Sequence, residues 1–500
     1  MQSLQDQSVL ILGLGDSGLA MARWCTRAGA QVTVLDTREA PPQLAQLQAD
    51  CPQAQFHQGE FTAQWVQGQA VRAVFKSPGL SPQDVAPLWD AARAAGLWVG
   101  TELTLFAHAL QSLAQTQSYQ PQVLGITGTN GKTTVTALTA QLLERADKTV
   151  GLAGNIGPTL LDTLTQALAS AQLPAVWVLE LSSFQLEGVT EFEPTAATVL
   201  NLTQDHLDWH GDMQAYAKAK QHIFGQQALM VLNRDDAAVM AMLPEPIRAK
   251  LQKPQWRTYL TFGSDVPTRP GDYGLETVNG MTWLVRALPA DETRRRRDEE
   301  EEIHLQRLMP ADALRIRGRH NALNALAALA LASSTGAALA PMLYGLRDYR
   351  GEPHRVEPVA IVNDVEYFDD SKGTNVGATV AAVTGLGAER RLVVILGGEG
   401  KGQDFAPLAA PIARYARAVI LLGRDADRIR TQIQDCGIPI APVDDMTAAV
   451  QKAQTLAQPG DAVLLSPACA SFDMFRNYAH RAQVFVQAVQ ELAENSGGIA

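Results

Sequence analysis

The segment VLGITGTNGKTTVTALTAQLLERA, residues 123–146, decides the fold of the central part of this chain. A short apolar run leads into a glycine-rich turn, a Gly-Lys-Thr triplet and a helical pattern, which predicts a strand, a phosphate-binding loop and a helix. In such a loop the amides cradle phosphate, Lys132 neutralises the β and γ oxygens, and the Thr133 hydroxyl suits Mg²⁺. Ile126 stands where the standard motif has its first glycine, so the loop is a shortened form. The residues expected to hold ATP here are Gly128, Thr129, Asn130, Gly131, Lys132, Thr133 and Thr134.

A second glycine-rich turn lies near the N-terminus. The apolar run Val9–Leu12 leads into GLGDSG (residues 13–18), and the next predicted strand, Gln31–Asp36, ends on an acid. This GxGxxG pattern with a following acid is typical of a nucleotide or pyrophosphate site. The motif is common, so a nicotinamide-dependent sugar-nucleotide dehydrogenase and a plain βα turn without a ligand both remain open.

Composition limits the class of protein. The 500 residues exceed one hydrophobic core, and about three domains are expected. A net charge of −11 argues against a nucleic-acid partner. The four scattered cysteines fit reduced thiols, and we find neither a secretory signal nor an apolar run long enough to span a membrane. We therefore expect a cytoplasmic protein that acts as a monomer.

The order of apolar runs predicts an α/β protein of three domains. A Rossmann-like N-terminal domain is expected over residues 1–115, a P-loop ATPase-like central domain over 116–350, and a Rossmann-like C-terminal domain over 351–500. The polar stretch Gln111–Gln122 is interpreted as a linker. The charge block RRRRDEEEE, residues 294–302, is interpreted as a solvated surface insertion and is given no function.

A series of further motifs follows the phosphate-binding loop in order. These are GNIG, ELSSFQLE, LNLTQDHLDWH, YAKAK, GRHNALNALAALA, PHR, DDSKGTNVGAT, GGEGKGQDF and SPACASFDMF. Together with GTNGKTT they closely resemble the Mur ligase family along nearly the whole chain. The resemblance implies ATP-dependent amide-bond formation with two Mg²⁺ ions and a lysine carbamate formed from CO₂.

The resemblance also assigns roles to single residues. It places Lys132, His206 and Lys220 in catalysis and Thr133, Glu180, His206 and Lys220 at the metal ions, with Lys220 as the carbamate. A carbamate requires a neutral amine, so the site must lower a pKa that is about 10.4 in water. The nucleotide is expected to contact Asn321, Asn324, Arg355 and Asp370 as well.

Within the family, the terminal motifs resemble those of the D-glutamate-adding members, which implies UDP-N-acetylmuramoyl-L-alanine and D-glutamate as substrates. The expected substrate residues in the first two domains are Gly13, Leu14, Gly15, Asp16, Ser17, Asp36, Thr37, Arg38, Gly79 and Asn155. Those in the third domain are Thr374, Lys401, Ser471, Phe472 and Tyr478, with Ser471 also able to cap a helix beginning near Phe472. Glu399 and Tyr478 depart from the residues most frequent in the family. Another Mur ligase, a folylpolyglutamate synthetase and an inactive Mur-like binding protein are the alternatives.

Overall fold

Three separate β-sheets organise the chain. A computed structural model describes residues 4–247, 256–290 and 302–496. The charge block predicted at residues 294–302 lies outside these ranges, apart from Glu302. In the described part, none of the helices combines the length and the apolar composition that a membrane crossing requires.

The N-terminal domain holds a five-stranded parallel sheet in the order β3-β2-β1-β4-β5. Its strands are β1 (Ser8–Leu12), β2 (Gln31–Asp36), β3 (Gln55–Gln58), β4 (Val71–Lys76) and β5 (Trp98–Gly100). Its helices are α1 (Asp16–Arg27), α2 (Leu44–Asp50), α3 (Pro82–Ala94) and α4 (Glu102–Gln117). The glycine-rich turn follows β1 at the carboxyl edge of the sheet, where parallel α/β folds bind ligands.

The central domain holds nine strands in the order β14-β13-β12-β11-β10-β9-β6-β8-β7. The strands are β6 (Gln122–Thr127), β7 (Val150–Gly154), β8 (Val176–Glu180), β9 (Ala196–Val199), β10 (Leu229–Asn233), β11 (Tyr259–Phe262), β12 (Tyr273–Val278), β13 (Met281–Pro289) and β14 (Ile303–Pro310). The helices are α5 (Lys132–Arg145), α6 (Leu160–Ala169), α7 (Ser183–Leu186), α8 (Leu207–His210), α9 (Met213–Gln221), α10 (Ala237–Met240), α11 (Arg319–Ser333) and α12 (Leu339–Asp348). The first seven strands in chain order pair in parallel, and β12, β13 and β14 extend the sheet in antiparallel fashion.

The C-terminal domain holds a six-stranded sheet in the order β15-β16-β20-β17-β18-β19, parallel except for the pair β15/β16. Its strands are β15 (Glu357–Val362), β16 (Val365–Asp369), β17 (Leu392–Gly397), β18 (Ala416–Leu422), β19 (Ile440–Pro442) and β20 (Ala462–Leu465). Its helices are α13 (Val376–Gly387), α14 (Ala409–Tyr415), α15 (Ala426–Ile433), α16 (Met446–Leu456) and α17 (Tyr478–Ser496). Short 3₁₀ turns lie at Ala63–Trp65, His222–Phe224, Ala311–Ala313, Ala406–Leu408 and Gln434–Cys436.

The hydrophobic cores show how the domains are joined. One apolar cluster runs from β1 and α1 through α4 into β8 of the central domain, and Phe106 meets Trp177 edge-on with ring centroids 5.2 Å apart. The two main clusters of the C-terminal domain are built from residues 356 onward within the described chain. The first two domains therefore share a core, whereas the third has main clusters of its own.

Two local predictions are wrong. The supposed linker at Gln111–Gln122 is helical as far as Gln117, because Leu113 continues the buried face of α4. The helix expected near Phe472 begins instead at Tyr478, where the Asn477 side chain accepts a hydrogen bond from the His480 amide. The alternative role of Ser471 as a helix cap is therefore excluded.

Candidate active site

A cavity of about 840 Å³ opens between the phosphate-binding loop and the C-terminal domain. Its lining comes from the loop after β6, the loops after β8 and β9, and the loops around β15, β16 and β17. All of these loops leave the carboxyl ends of strands or run beside them. The predicted residues that line it are Thr129, Asn130, Gly131, Lys132, Thr133, Asn155, Glu180, His206, Arg355, Thr374, Lys401 and Tyr478.

The phosphate-binding loop has the conformation that its glycines predict. Gly128 and Gly131 have φ of +154° and +85°, which L side chains rarely adopt. A Cβ on Gly131 would also lie 2.8 Å from the Asn324 amide oxygen. Lys132 donates from Nζ to the carbonyls of Gly128 and Thr129 at 2.8 and 2.9 Å, and burial lowers its pKa despite the opposing field of Glu180. The loop thus holds its lysine folded back over the space meant for phosphate.

Two contacts tie the C-terminal domain to this loop. Arg355 Nη2 donates to Thr133 Oγ1 over 2.8 Å. Asn130 Nδ2 donates to Asn375 Oδ1 at 3.2 Å, and Asn375 Nδ2 donates back to Asn130 Oδ1 at 3.0 Å. The third domain therefore lies against the loop that is predicted to hold the nucleotide.

Glu180 fits a role as a cation ligand. It ends β8, is 1% exposed, and accepts a hydrogen bond at Oε1 from Asn155 Nδ2 at 2.8 Å. Its Oε2 is buried without a hydrogen-bond partner. An unpartnered buried carboxylate oxygen is costly unless a ligand or an ion satisfies it. Since carboxylate and hydroxyl oxygens suit Mg²⁺, Glu180 and Thr133 could hold such an ion beside the phosphates.

Lys220 has the environment that carbamate formation requires. It lies on α9, is 1% exposed, and donates from Nζ to Gly128 O at 2.9 Å and to Thr127 Oγ1 at 3.3 Å. Burial, and then the charge of Lys132, hold the pKa of Lys220 well below its usual value. Its neighbour Lys218 on the same helix is exposed. The site therefore favours the neutral amine that reacts with CO₂.

His206 lies at the start of α8 with a positive φ of 53°. Its ring Nε2 is 3.6 Å from Asp205 Oδ2, and burial lowers its pKa while Asp205 opposes the shift. Positive φ in a histidine is uncommon and places the side chain at the cavity rather than along a helix face. The neutral imidazole is the form that ligates a metal.

A smaller space of about 110 Å³ on the far side of the phosphate-binding loop unites the other nucleotide candidates. It is lined by Asn321, Asn324, Arg355 and Asp370 among others. Asn324 Nδ2 donates to Asn321 Oδ1 at 3.1 Å, and Ser466 Oγ donates to Asp370 Oδ2 at 2.7 Å. Burial raises the pKa of Asp370 to about 7. The structure thus brings together the four residues that the sequence had placed around the nucleotide.

The N-terminal turn is organised around Asp36. Asp36 Oδ2 accepts from the Leu14 amide at 2.7 Å, and both carboxylate oxygens accept from the Arg38 guanidinium at 2.8 and 2.9 Å. A Cβ on Gly18 would lie 2.1 Å from the Gly13 carbonyl oxygen, so this glycine allows close helix–strand packing. The carboxylate of Asp36, an expected substrate residue, is therefore engaged within the protein and shapes the turn. Gly13 and Gly15 lie in the loop after β1, Asp16 and Ser17 open α1, and Thr37 and Gly79 lie in the loops after β2 and β4.

The C-terminal candidates divide into two groups. Thr374, Lys401 and Tyr478 line the large cavity. Ser471 is buried, and Phe472 is 65% exposed with its ring 6.0 Å from Lys401 Nζ. Lys401 itself has a positive φ of 47° in the loop after β17. Ser471 and Phe472 are not among the residues that line this cavity.

Sequence reasoning missed several cavity residues. Asp205, Lys372 and Asn375 line the cavity beside the predicted ones, and so does His354, which immediately precedes Arg355. His354 Nδ1 lies 2.7 Å from Asp369 Oδ2. The PHR and DDSKGTN motifs contain His354, Asp369, Lys372 and Asn375, so adjacency to assigned residues was the available signal.

Models of protein families match the chain in three consecutive parts. Residues 7–100 match the Mur ligase MurD-like N-terminal domain, residues 126–332 the Mur ligase middle domain, and residues 354–469 the Mur ligase glutamate ligase domain. Among solved structures, a MurF ligase of Thermotoga maritima in complex with ADP is similar in fold, with a TM-score of 0.56 and 15% identity, covering 99% of this chain and 100% of that one. A UDP-N-acetylmuramate-alanine ligase of the same organism has a TM-score of 0.51 and 18% identity, covering 97% of this chain and 99% of that one.

Curated relatives match over the full length. A UDP-N-acetylmuramoylalanine–D-glutamate ligase of Albidiferax ferrireducens is 68% identical over 498 residues, which are 99% of this chain and 98% of the relative. Proteins of the same name from Polaromonas sp. and Burkholderia mallei are each 56% identical, covering 99% of this chain and 100% and 98% of the relatives. The fold and the site define an ATP-dependent, amide-forming ligase. The chain belongs to the Mur ligase family.

Proposed function

We propose that this chain joins D-glutamate to UDP-N-acetylmuramoyl-L-alanine, with ATP converted to ADP and phosphate, in peptidoglycan precursor synthesis. The alanyl carboxylate attacks the γ-phosphate of ATP and forms an acyl phosphate. The amine of D-glutamate then attacks the acyl carbon, the C–N bond forms and the C–O bond to phosphate breaks. The name shared by the full-length relatives supports this choice of substrates.

The single observation that carries the proposal is the cavity shared by the phosphate-binding loop and the C-terminal domain. Lys132 and Arg355 supply positive charge on one side of it, and Thr374, Lys401 and Tyr478 face it from the other. Phosphoryl transfer depends mainly on positioning and charge neutralisation. A reaction that needs ATP and an amino acid in one enclosed space fits this arrangement.

Two Mg²⁺ ions would be held by Thr133, Glu180, His206 and carbamylated Lys220. When bound, such ions neutralise the charge that builds up on the transferred phosphoryl group. The unpartnered Oε2 of Glu180 and the buried amine of Lys220 support this ligand set. The protein's own contribution is to hold these groups rigid and shielded from water.

The UDP moiety is proposed to lie along the N-terminal turn. The amides of Gly13 to Ser17 and the N-terminus of α1 would face its pyrophosphate, because a helix N-terminus favours an anion. Asp36 fixes both the turn and Arg38, and Thr37 and Gly79 border the same edge of the sheet. Asn155 would meet the substrate where the first two domains join.

We place the enzyme in the cytoplasm as a monomer. Its described cysteines carry no disulfide, which fits a reducing compartment. ATP and a UDP-linked substrate are also available there.

Phosphate release from ATP by the purified full chain tests the proposal. UDP-N-acetylmuramoyl-L-alanine with D-glutamate should release phosphate, whereas UDP-N-acetylmuramate with L-alanine and a folate with L-glutamate should not. Lys132→Ala should abolish release while the affinity for the UDP-substrate, measured by calorimetry, stays nearly unchanged. Release with a different pair would reassign the enzyme within the family or to folylpolyglutamate synthesis, and oxidation of a UDP-sugar with NAD⁺ would indicate a dehydrogenase.

A further inference from the structure

His354 and Asp369 form a hydrogen-bonded pair beside the proposed reaction centre. His354 Nδ1 lies 2.7 Å from Asp369 Oδ2, and the carboxylate side chain is 1% exposed against 25% for the imidazole. The other carboxylate oxygen accepts from the Ser371 amide at 2.8 Å. Asp369 is the last residue of β16, so the sheet holds its carboxylate in place. The carboxylate in turn orients the imidazole of His354. An imidazole held at Nδ1 keeps Nε2 as its proton acceptor.

The position of His354 links the two halves of the reaction. Its neighbour Arg355 reaches the phosphate-binding loop at Thr133. On the other side its ring meets that of Tyr478 edge-on, with centroids 6.0 Å apart, and Lys372 Nζ lies 3.7 Å over the same tyrosine ring. Tyr478 is one of the residues proposed to bind the incoming amino acid. His354 thus lies in the cavity between the site of the acyl phosphate and the site of the amine.

The backbone of His354 is held in an unfavourable conformation. Its φ is +63°, and its amide donates to Glu357 Oε2 at 2.8 Å. Left-handed backbone in a residue other than glycine or asparagine costs free energy and tends to be retained where function needs it. The surrounding hydrogen bonds therefore impose this orientation of the ring.

The proposed chemistry requires a base at this place. An α-amino group is mostly protonated near neutral pH and has no lone pair for attack. Two histidines line the cavity in the described chain, and His206 is already assigned to a cation. Resting on the proposed function, we propose that His354 is the general base that deprotonates the incoming amine and that Asp369 positions it.

The proton balance is complete without a further reactant. One proton passes from the ammonium group to His354 Nε2, and the neutral amine then forms the C–N bond. The second N–H proton leaves with the departing phosphate, which takes the electron pair of the broken C–O bond. The imidazolium finally releases its proton to solvent through the open side of the cavity.

The charges around His354 are mixed. Asp369 and Glu357 contact it from β16 and β15, while Arg355 and Lys372 flank it in the chain and in space. Asp370 directly follows the end of β16, and Tyr478 is the first residue of α17. His354, Glu357 and Asp369 also offer ligand atoms within 4.8 Å of one another, as a cation would need. His354 Nδ1 and Asp369 Oδ2 already hydrogen-bond to each other, and Glu357 Oε2 already accepts from the His354 amide, which favours the base over a cation site.

His354→Asn tests the assignment. Asparagine keeps an amide donor for Asp369 and tolerates positive φ, but it cannot accept the proton. In the full-length enzyme kcat with D-glutamate should fall about 10²- to 10⁴-fold, with little change in the KM of ATP. The residual rate of His354→Asn should rise with pH, because more of the D-glutamate amine is then unprotonated. The wild-type rate should depend less steeply on pH.

Hydroxylamine separates this proposal from the function on which it rests. It is unprotonated near neutral pH and needs no base to attack an acyl phosphate. His354→Asn should therefore form the hydroxamate of the UDP-substrate at the wild-type rate. The base assignment is overturned if His354→Asn loses both hydroxamate formation and ligation of D-glutamate. It is also overturned if His354→Asn ligates D-glutamate at the wild-type rate. A wild-type enzyme that makes neither product overturns the proposed function instead.

Two matched variants complete the experiment. Asp369→Asn keeps the imidazole but removes its carboxylate partner, so we expect a smaller loss of kcat and a shifted pH profile. Glu357→Gln removes the charge that a cation would need but keeps an oxygen that can accept from the His354 amide, so the pH profile should stay that of the wild type. A Glu357→Gln profile that matches that of His354→Asn would point to a bound cation and would also overturn the proposal.

Discussion

Arg355 of the C-terminal domain donates a 2.8 Å hydrogen bond to the Thr133 hydroxyl of the phosphate-binding loop, across 222 residues of sequence. Thr133 is also the hydroxyl proposed to meet Mg²⁺. A guanidinium and an ion would compete for this oxygen, so we expect Arg355 to turn toward phosphate oxygens when ATP and Mg²⁺ bind. A planar guanidinium is well suited to that exchange.

Thr133→Ala should weaken the use of Mg²⁺ and ATP. The loss of one hydroxyl ligand should raise the KM of ATP by about tenfold or more, since a hydrogen bond to a charged group contributes about 1.5–3 kcal/mol. Thr133→Ser keeps the hydroxyl and should remain close to wild type. Steady-state phosphate release at varied Mg²⁺ measures both, and equal losses in the two variants would show that the methyl group rather than the hydroxyl matters.

Lys220 is predicted to carry a carbamate. Labelled CO₂ should give a carbamate carbon signal in the wild type that is absent from Lys220→Ala, because burial keeps the pKa of the Lys220 amine well below its usual value. Lys218→Ala, on the exposed face of the same helix, is the matched control and should retain the signal. A wild-type spectrum without the signal would leave Lys220 as an unmodified buried amine.

Lys401 is predicted to contact a carboxylate of D-glutamate. Lys401→Ala should raise the KM for D-glutamate by tens-fold, because a charged hydrogen bond contributes about 1.5–3 kcal/mol. The KM for the UDP-substrate should change much less. Lys452→Ala, an exposed lysine on α16, serves as the control in the same domain. Equal losses for both substrates would place Lys401 on ATP or on the acyl phosphate instead.

We expect Glu102 to make the stability of the protein depend on pH. Burial raises the pKa of its carboxyl from 4.5 to about 7, against the hydrogen bond that Oε1 accepts from the Leu161 amide. The neutral Glu102 carboxyl contributes stability to the folded protein that is complete below pH 4.5. This contribution is lost as the pH rises through about 7, because the folded protein then holds a buried charge.

Glu102→Gln should remove this dependence. The free energy of unfolding of Glu102→Gln should gain on that of the wild type as the pH rises from 4.5 to about 7. The relative gain should be at most about 3 kcal/mol. Chemical denaturation at several pH values measures it, with Glu39→Gln at the surface as the control. A difference that is constant with pH would mean that Glu102 does not titrate there.

The sequence predicted what local patterns determine. Short-range apolar periodicity and glycines at fixed positions encode the local elements. These are the strand and helix around Lys132, the parallel strands of the three sheets, and the glycine-rich turn at residues 13–18. Motif order then indicated which side chains meet near the nucleotide. The clustering of Asn321, Asn324, Arg355 and Asp370 follows that expectation.

Contacts between distant segments could not be predicted in the same way. Nothing local to Arg355 indicates that it reaches Thr133, and nothing local to His354 reveals that Asp369 holds its ring. The end of α4 was misjudged because its polar surface concealed the buried Leu113. The start of α17 was misjudged because Asn477, rather than Ser471, supplies the cap.

The paired amides of Asn130 and Asn375 form an uncharged contact between the C-terminal domain and the phosphate-binding loop. Salt screens charges but hardly affects neutral amides, so this part of the closure should persist across ionic strengths. Two such hydrogen bonds contribute roughly 1–3 kcal/mol, which favours the shut state about 5- to 150-fold. We expect the Asn130–Asn375 pair to contribute little to the cost of any opening that releases ADP and the nucleotide-linked product.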